Sequence, residues 1–348
     1  PKPGAFTAKL GSIGRQLSEI VGFCHQWTRD EFVNSYTGPR RASYGRAAAT
    51  LDSLPLSKRD SYLSTFVKAE KINLSSKPDP APRLIQPRSP RYNAAVGVFL
   101  RPLEPRVYDA IAKVWGGPTV LKGMNSAQQA AALREMWDTF ANPVAVGLDA
   151  SRFDQHVSRD ALEWEHSVYL SCFGPADRRV LKRLLGWQVE NVGRAYVGNS
   201  KVKYQVEGCR MSGDINTSLG NCLIMCSMVL AYAAEKKLYC RLANNGDDCV
   251  VIMERNQLGM FLTGLPQWFR EMVFTMEIEE PVFDFERIEV CQSRPVWGGD
   301  MWIMCRNPDT AISKDLVSLL NLREAYSAYV GAIGECGLAA LGGMPVFQ

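Results

Sequence analysis

The chain has 348 residues, of which 46% are hydrophobic and 22% are charged, and its formal net charge is +4. These values are ordinary for a large soluble protein, and the length allows one extended core with subdomains. No apolar run reaches the ~18 residues that a membrane span needs, and no signal peptide opens the chain, so we expect no membrane segment.

The cysteines and the first residue add two expectations. The ten cysteines include no Cys-x2-Cys pair, and the three histidines are not grouped with them, so we do not expect a zinc site. The chain opens with Pro1 and not with Met, which indicates a processed or trimmed piece.

The charge is unevenly distributed along the chain. Residues 1–148 contain 20 Lys and Arg against 11 Asp and Glu, whereas residues 149–348 contain 20 against 25. We therefore expect the amino-terminal part to face phosphate groups and the remainder to hold metal ions.

The first distinctive segment in chain order is basic and rich in proline. Residues 78–90 are proline-dense, so they cannot be helical and are best interpreted as an extended, partly rigid arm. Arg83, Arg88, Arg91 and Tyr92 are interleaved with these prolines, which is typical of an ordered loop lining a nucleic-acid channel. The alternative is a solvated basic loop.

The segment after the arm alternates between helical and strand-like patterns, without internal repeats. We predict helices at residues 126–140, 160–172, 176–185, 221–234, 257–272 and 314–332, and strands at residues 188–197, 202–206, 275–278 and 288–292.

Three further segments are unusual in their polar residues. The apolar run 144–148 predicts a strand that ends at Asp149, where an acid is costly without a cation. A helix N-cap is the alternative role for Asp149. Residues 210–221 place Ser212, Thr217 and Asn221 at the entry to a long apolar helix, where they suit a sugar with a 2′-hydroxyl or, alternatively, only cap the helix.

The third segment is Asn244-Asn245-Gly246-Asp247-Asp248, between two apolar strand-like runs. Asn-Gly in this setting predicts a tight primed turn in which both central residues have positive φ. Two adjacent acids at such a tip indicate a metal-holding turn. A surface hairpin with solvated acids is an equal alternative when the turn is taken alone.

Taken together, these segments resemble known polymerase motifs. Asp-x4-Asp from Asp149, then Ser-Gly-x3-Thr-x3-Asn from Ser212, then Gly-Asp-Asp from Gly246 are similar in order and spacing to motifs A, B and C of viral RNA-dependent RNA polymerases. Residues 66–71 with 77–93 resemble motif F of the tombusvirus and carmovirus family (Tombusviridae), and residues 289–293 resemble motif E. The resemblance covers about residues 66–315.

The resemblance implies an α+β, right-hand polymerase fold with fingers, a palm made of an antiparallel sheet backed by helices, and a small thumb. The implied fingers are residues 1–143, including the basic loop 66–93, with an insertion at residues 155–210. The implied palm is residues 144–154, which hold motif A, and residues 211–299, which hold motifs B to E. Residues 300–348 would form the thumb.

The resemblance also implies roles for individual residues in RNA-directed RNA synthesis from NTPs. Two Mg²⁺ or Mn²⁺ ions would assist the transfer, and the implied catalytic and metal-binding residues are Asp149, Asp247 and Asp248. The implied NTP-binding residues are Lys68, Lys71, Lys77, Arg83, Asp154, Ser212, Thr217 and Asn221. The implied RNA-binding residues are Arg88, Arg91, Gly213, Cys291 and Gln292.

One part of the family pattern is missing. Motif D of such polymerases often carries a lysine that protonates pyrophosphate, but no lysine occurs between Lys237 and Lys314. The corresponding position lies near Glu277, and Arg270 is a poor acid because its pKa exceeds ~12. The sequence therefore leaves the general acid open.

Three alternative functions have different sequence requirements. A reverse transcriptase would carry a bulky aromatic residue where Asp154 stands. A non-catalytic RNA-binding or scaffold protein would need only the basic amino-terminal part and leaves the acids unexplained. A metal-dependent nuclease would use paired acids but has no need of the Ser-Gly-x3-Thr-x3-Asn block.

The resemblance further predicts the surroundings in which the chain works. Its partners would be template RNA, nascent RNA, NTPs and viral or host replication proteins. It would act in the host cytoplasm, at membrane-associated replication complexes to which other parts or partners recruit it.

Overall fold

The computed structural model describes residues 3–71 and 79–344. Helices and mainly antiparallel sheets make up this part of the chain, as expected for the α+β class. The predicted NTP ligand Lys77 and the start of the proline-dense arm at Pro78 lie outside the described residues.

The α-helices of the described residues are α1 (Ala5–Val21), α2 (Arg29–Asn34), α3 (Gly38–Ser53), α4 (Pro90–Trp115), α5 (Ser126–Trp137), α6 (Phe153–His156), α7 (Arg159–Ser171), α8 (Pro175–Val189), α9 (Thr217–Glu235), α10 (Leu258–Leu262), α11 (Leu265–Glu271), α12 (Pro308–Asp315) and α13 (Tyr326–Leu341). The β-strands are β1 (Leu63–Val67), β2 (Leu84–Ile85), β3 (Pro143–Ala150), β4 (Glu190–Val197), β5 (Ser200–Glu207), β6 (Cys240–Asn244), β7 (Cys249–Glu254), β8 (Met276–Ile278), β9 (Ser293–Trp297) and β10 (Trp302–Arg306).

The central sheet has the strand order β6-β7-β3-β8, with every neighbouring pair antiparallel. Side chains alternate between the two faces of a strand, so Val144, Val146 and Leu148 of β3 enter the main core, where α9 packs. Ala145 points to the opposite face and packs in a second core with α5 and Met304 of β10. The sheet therefore contributes to a core on each of its faces.

Helix α9 is the long apolar helix that the sequence predicts, and it begins at Thr217, four residues earlier than expected. Among the described helices, α9 is the one whose length and composition would allow it to cross a membrane. In the structure 78% of its most apolar 18-residue window is buried inside the protein. Its apolar side chains thus pack in the core of the protein.

A second four-stranded sheet has the order β2-β1-β4-β5. Strand β1 is parallel to β4, while β4 and β5 form a long antiparallel hairpin. This hairpin confirms the two strands predicted at residues 188–197 and 202–206. Gly193 allows the hairpin to close, because a Cβ there would collide with the Tyr204 ring.

Three predicted elements are wrong in their extent. The helix expected at residues 257–272 is divided into α10 and α11, because Gly264 between them adopts a left-handed backbone with φ 82°. The strand expected at residues 288–292 is a turn, and the strand begins at Ser293.

The helix expected at residues 314–332 is also interrupted. Helix α12 ends at Asp315 and α13 starts at Tyr326. Between them the Ser318 hydroxyl accepts a hydrogen bond from Leu320 N (3.0 Å). Such local side-chain bonds compete with the helical ladder.

Candidate active site

The turn between β6 and β7 presents the two adjacent acids. Asn245 N donates to Asp248 O (2.8 Å), and Gly246 has φ 99°. The buried Asn244 side chain supports the turn, donating to Gly246 O (2.7 Å) and accepting from Gly246 N (3.1 Å). The predicted tight turn is confirmed, but its centre is Gly246 and Asp247, and only the glycine has positive φ.

The register of the central sheet brings acids from β3, from β8 and from the β6–β7 turn into one row. Leu148 pairs with Cys249, so Asp149 and Asp248, each one residue further along, lie opposite each other. On the other side of β3, Asp149 pairs directly with Glu277 of β8. Because paired residues in a sheet point to the same face, the three carboxylates share the face of Ala145 and Val250.

Burial and the charges of the neighbouring acids both disfavour the charged form of Asp149. Desolvation and the charges of Asp247, Asp248 and Glu277 raise the pKa of Asp149 above its usual value. Among the described residues, none of these four acids has a basic partner within 4.0 Å. A bound cation would relieve this repulsion.

The acids do not form a ready-made metal cage. No group of three or more His, Cys, Asp or Glu side chains in the described part of the chain is arranged to hold an ion by itself. Mg²⁺ dehydrates reluctantly and is usually held by one or two carboxylates, with water and substrate phosphates completing its shell.

Two of the predicted sugar-binding residues are in direct contact. Asn221 Nδ2 donates to Asp154 Oδ1 (2.8 Å) at the entry of α9. Desolvation raises the pKa of Asp154, while the Asn221 hydrogen bond and the charge of Arg210 act in the opposite direction. The carboxylate is half-buried, and no bond to its Oδ2 is present among the described residues.

The other residues of this block hold the loop in place. Thr217 Oγ1 donates to Met211 O (2.8 Å) and Asp214 O (3.0 Å), and Ser212 Oγ donates to Leu84 O (3.1 Å). Gly213 packs on Pro87, whose Cα would lie 2.5 Å from an added Cβ. Gly213 thus permits close packing of this loop against the arm.

The predicted triphosphate ligands are divided between two places. Lys68 and Arg83 both lie beside Glu70, with N···O distances of 3.3 and 3.4 Å, and they face each other across the β1–β2 hairpin. The structure brings Lys71 elsewhere, since its ammonium donates to Lys314 O at the end of α12 and to the Tyr329 hydroxyl (3.4 Å).

The prediction that Arg88 lines an RNA channel is wrong. Its side chain is 0% exposed and forms an ion pair with Asp214, which is 2% exposed. It also donates to Ser61 O (2.7 Å) and Asn191 Oδ1 (2.6 Å). All of its donors are used inside the protein, so Arg88 joins the arm to the loop before α9.

The prediction that Arg91 binds RNA is wrong for the same reason. Its guanidinium donates to Asp60 Oδ1 (2.9 Å), to the Thr50 hydroxyl (2.7 Å) and to Leu54 O (2.8 Å). The side chain is 16% exposed in this ion pair. These bonds fasten the start of α4 to the end of α3, which leaves little of the guanidinium for RNA.

The predicted RNA-binding pair Cys291 and Gln292 forms an exposed turn beside the acids. Both residues have positive φ, 51° and 60°. Such a backbone is costly for non-glycine residues. Cys291 N donates to Asp248 Oδ2 (2.8 Å), so this turn is tied to the acidic row. Gln292 lines a cavity of 1310 Å³ together with Lys71, Arg294, Arg306 and Lys314.

Several residues near the acids had no role in the sequence interpretation. Lys122 Nζ is 3.8 Å from where a Cβ on Gly246 would lie, because Leu121 N donates to Asn244 O (2.9 Å) beside the turn. Glu279 lies over Gly147, and desolvation together with the charges of Asp248, Glu289 and Asp149 raises its pKa. Nothing in the spacing of the sequence connects these residues with the Gly-Asp-Asp turn.

Comparison with known protein families gives a match along the full chain. A family profile described as "Viral RNA dependent RNA polymerase" matches residues 1–348. This match and the relatives below confirm the resemblance to polymerases of the Tombusviridae.

The relatives named "RNA-directed RNA polymerase" include proteins from three plant viruses. The protein of Pothos latent virus (isolate Pigeonpea/India) is 49% identical over 348 residues, which are 99% of this chain and 46% of the relative. That of Tobacco necrosis virus (strain A) is 49% identical over 323 residues, 92% of this chain and 44% of the relative. That of Turnip crinkle virus is 45% identical over 350 residues, 100% of this chain and 44% of the relative. The chain thus spans less than half the length of these relatives.

Proposed function

Because this chain belongs to the viral RNA-dependent RNA polymerase family, we propose that it copies a positive-strand viral RNA genome by adding nucleotides from NTPs to a growing RNA strand. The observation that carries the proposal is the row of acids at the edge of the central sheet. Asp149 at the end of β3 faces Asp248, and Asp247 lies at the tip of the turn. These acids repel one another and have no basic partner in the described part of the chain.

The acidic row is chemically suited to divalent cations. We assign Asp149 and Asp247 as the main ligands of two Mg²⁺ or Mn²⁺ ions, with Asp248 assisting. When bound, such ions activate a 3′-hydroxyl and stabilise a leaving pyrophosphate. The protein's own contribution is to hold the carboxylates on a rigid sheet, with Asp248 fixed by Cys291 N.

The sheets and helices can be assigned to the parts of a right hand. The central sheet with α9 behind it corresponds to the palm, and the β2-β1-β4-β5 sheet with α1 to α4 corresponds to the fingers within residues 1–143 and 155–210. Residues 300–348 correspond to a small thumb. The Arg88–Asp214 ion pair supports a fixed junction between fingers and palm, because the two charges are buried together.

Nucleotide selection is assigned to two groups of residues. The Asp154–Asn221 pair would accept the ribose, since Asp154 Oδ2 can take a hydrogen bond from a 2′-hydroxyl. The exposed Lys68 and Arg83 would neutralise the triphosphate, because their pair with Glu70 is at the surface and easily exchanged.

The growing RNA is assigned to the cavity beside the Cys291–Gln292 turn. Its volume is 1310 Å³, and its lining includes four basic residues and the two acids Glu70 and Glu289. This excess of basic side chains suits a phosphate backbone. Association with other replication proteins and location at membrane-associated complexes in the host cytoplasm stay predictions.

The function is tested by nucleotide incorporation with the purified chain, a primed RNA template, four NTPs and Mg²⁺. Asp247→Asn should reduce incorporation by about 10³-fold or more, because an amide is a weaker ligand and carries no charge. Asp109→Asn, which changes an exposed acid on α4, is the matched control and should retain parental activity. Activity of Asp247→Asn within about tenfold of the parent would contradict the proposal.

A further inference from the structure

A buried ion pair lies directly behind the sugar-binding residues. Arg210, just before α9, and Glu165 of α7 are both 0% exposed and pair through two hydrogen bonds, of which Nη1 to Oε1 measures 3.2 Å. Glu165 Oε1 also accepts from Asn216 Nδ2 (3.0 Å). Gly220 is needed for this packing, since a Cβ there would collide with both charged groups.

The ion pair reaches Asp154 through one amide group. Arg210 Nε donates to Asn221 Oδ1 (3.1 Å), and Asn221 Nδ2 donates to Asp154 Oδ1 (2.8 Å). A guanidinium can only donate hydrogen bonds, so the amide atom that faces Arg210 must be the oxygen. The NH₂ group must then face Asp154, and the usual ambiguity of an amide orientation is removed.

We propose that Arg210 and Glu165 are positioning residues for sugar selection, because they fix the Asn221 amide and thereby the Asp154 carboxylate. The hydrogen bonds to Glu165 fix the orientation of the guanidinium. Arg210 in turn donates to the amide oxygen and fixes its position. Asp154 Oδ1 is thereby occupied, which leaves Oδ2 to accept a hydrogen bond from a 2′-hydroxyl. This inference rests on the proposed function, since it concerns how the same site recognises ribose.

A purely stabilising role is the competing explanation, and the chain contains a matched pair that separates the two. Arg88 and Asp214 form a second buried pair of the same kind, with side chains 0% and 2% exposed. Neither of them has a hydrogen bond to Asn221 or Asp154 in the described part of the chain. Disturbing either pair should reduce stability, but only the Arg210 pair should change sugar selection.

The test is the ratio of kcat/KM for one NTP to kcat/KM for its 2′-deoxy analogue, on the same primed RNA template. Both values come from one enzyme preparation, so the folded fraction cancels. We expect Glu165→Gln and Arg210→Lys to reduce this ratio at least about tenfold, because the polar set that recognises the hydroxyl is no longer held in place. Asp214→Asn should leave the ratio within about twofold of the parent.

The outcomes separate this inference from the function on which it rests. If the parent chain does not incorporate nucleotides, the proposed function fails. If the parent prefers ribonucleotides and Glu165→Gln keeps the parental ratio, only the positioning role is overturned. Because Gln is nearly isosteric with Glu, Glu165→Gln alone decides the test if Arg210→Lys does not fold. An equal fall in the Asp214→Asn ratio would also overturn the inference.

Discussion

The acids at the edge of the central sheet and the arginines of the basic arm are both charged clusters, but they are built in opposite ways. Asp149 faces other acids and has no basic partner among the described residues. Arg88 and Arg91 have their donors used by carboxylates, hydroxyls and carbonyl oxygens. Unpaired like charges cost stability and are retained for a ligand, whereas paired charges hold the fold together.

The strongest test of this difference is to neutralise one acid of the row. Asp149→Asn should reduce incorporation by about 10³-fold or more, because it removes a proposed metal ligand. The same change should raise the stability of the metal-free protein by about 0.5–2 kcal/mol, because it removes repulsion from Asp247, Asp248 and Glu277. Incorporation assays and denaturant unfolding without divalent ions measure the two effects.

The control for this prediction is again Asp109→Asn on α4. It should change neither incorporation nor stability appreciably, because Asp109 is exposed and lies outside the acidic row. An Asp149→Asn protein that is both inactive and less stable than the parent would show that Asp149 supports the fold of β3, where it pairs with Glu277.

Neutralising a buried arginine of the arm should instead lower the stability of the protein. Arg88→Ala should destabilise the protein by about 3–5 kcal/mol, because it leaves the buried Asp214 without its partner. Denaturant unfolding at neutral pH measures this loss, and Arg59→Ala, an exposed arginine outside the arm, is the control. Stability within about 1 kcal/mol of the parent would mean that Arg88 is less essential to the junction than its burial indicates.

The comparison also explains how much could be predicted from the sequence. The turn at Gly246, the strand ending at Asp149 and helix α9 depend on local patterns, and all three are present in the structure. The partners of Arg88 are 27 to 126 residues away along the chain, so spacing could not reveal its burial. The same holds for Glu165, which lies 45 residues from Arg210.

Helix interruptions form a second group of errors. The sequence pattern continued through Gly264, whose left-handed backbone separates α10 from α11. It also continued past Asp315, where α12 ends and Ser318 then binds Leu320 N. Helix α4 was not predicted, although it contributes many core residues, because Pro102 and Pro105 interrupt its pattern. Packing in the core outweighs the proline cost there.

His166 differs from both charged clusters, because burial favours its neutral form. Burial lowers the pKa of His166 to about 4, and its Nε2 has no hydrogen-bond partner among the described residues. The unfolded chain binds a proton near the usual pKa of ~6.5, so stability from this group is present above that pH and is lost as pH falls toward the lowered pKa. Unfolding midpoints of the parent should therefore fall across this window.

Replacing the imidazole isolates this contribution. His166→Gln cannot take up the proton, so its stability should depend less on pH between about 6.5 and 4 than that of the parent. His25→Gln, at an exposed histidine, should follow the parental profile. Equal pH profiles for the parent and His166→Gln would mean that other groups cause the acid sensitivity.

The smallest expected effect concerns Arg83, a member of the arm that is not buried. Its side chain is 68% exposed and pairs only with Glu70, at 3.4 Å, among the described residues. Arg83→Ala should therefore change stability by less than about 1 kcal/mol. It should raise the KM for NTPs by about tenfold, because a charge-assisted contact to the triphosphate is lost. Steady-state kinetics with Arg59→Ala as the control measures this change. If KM stays at the parental value and only RNA affinity falls, Arg83 contacts the template and not the nucleotide.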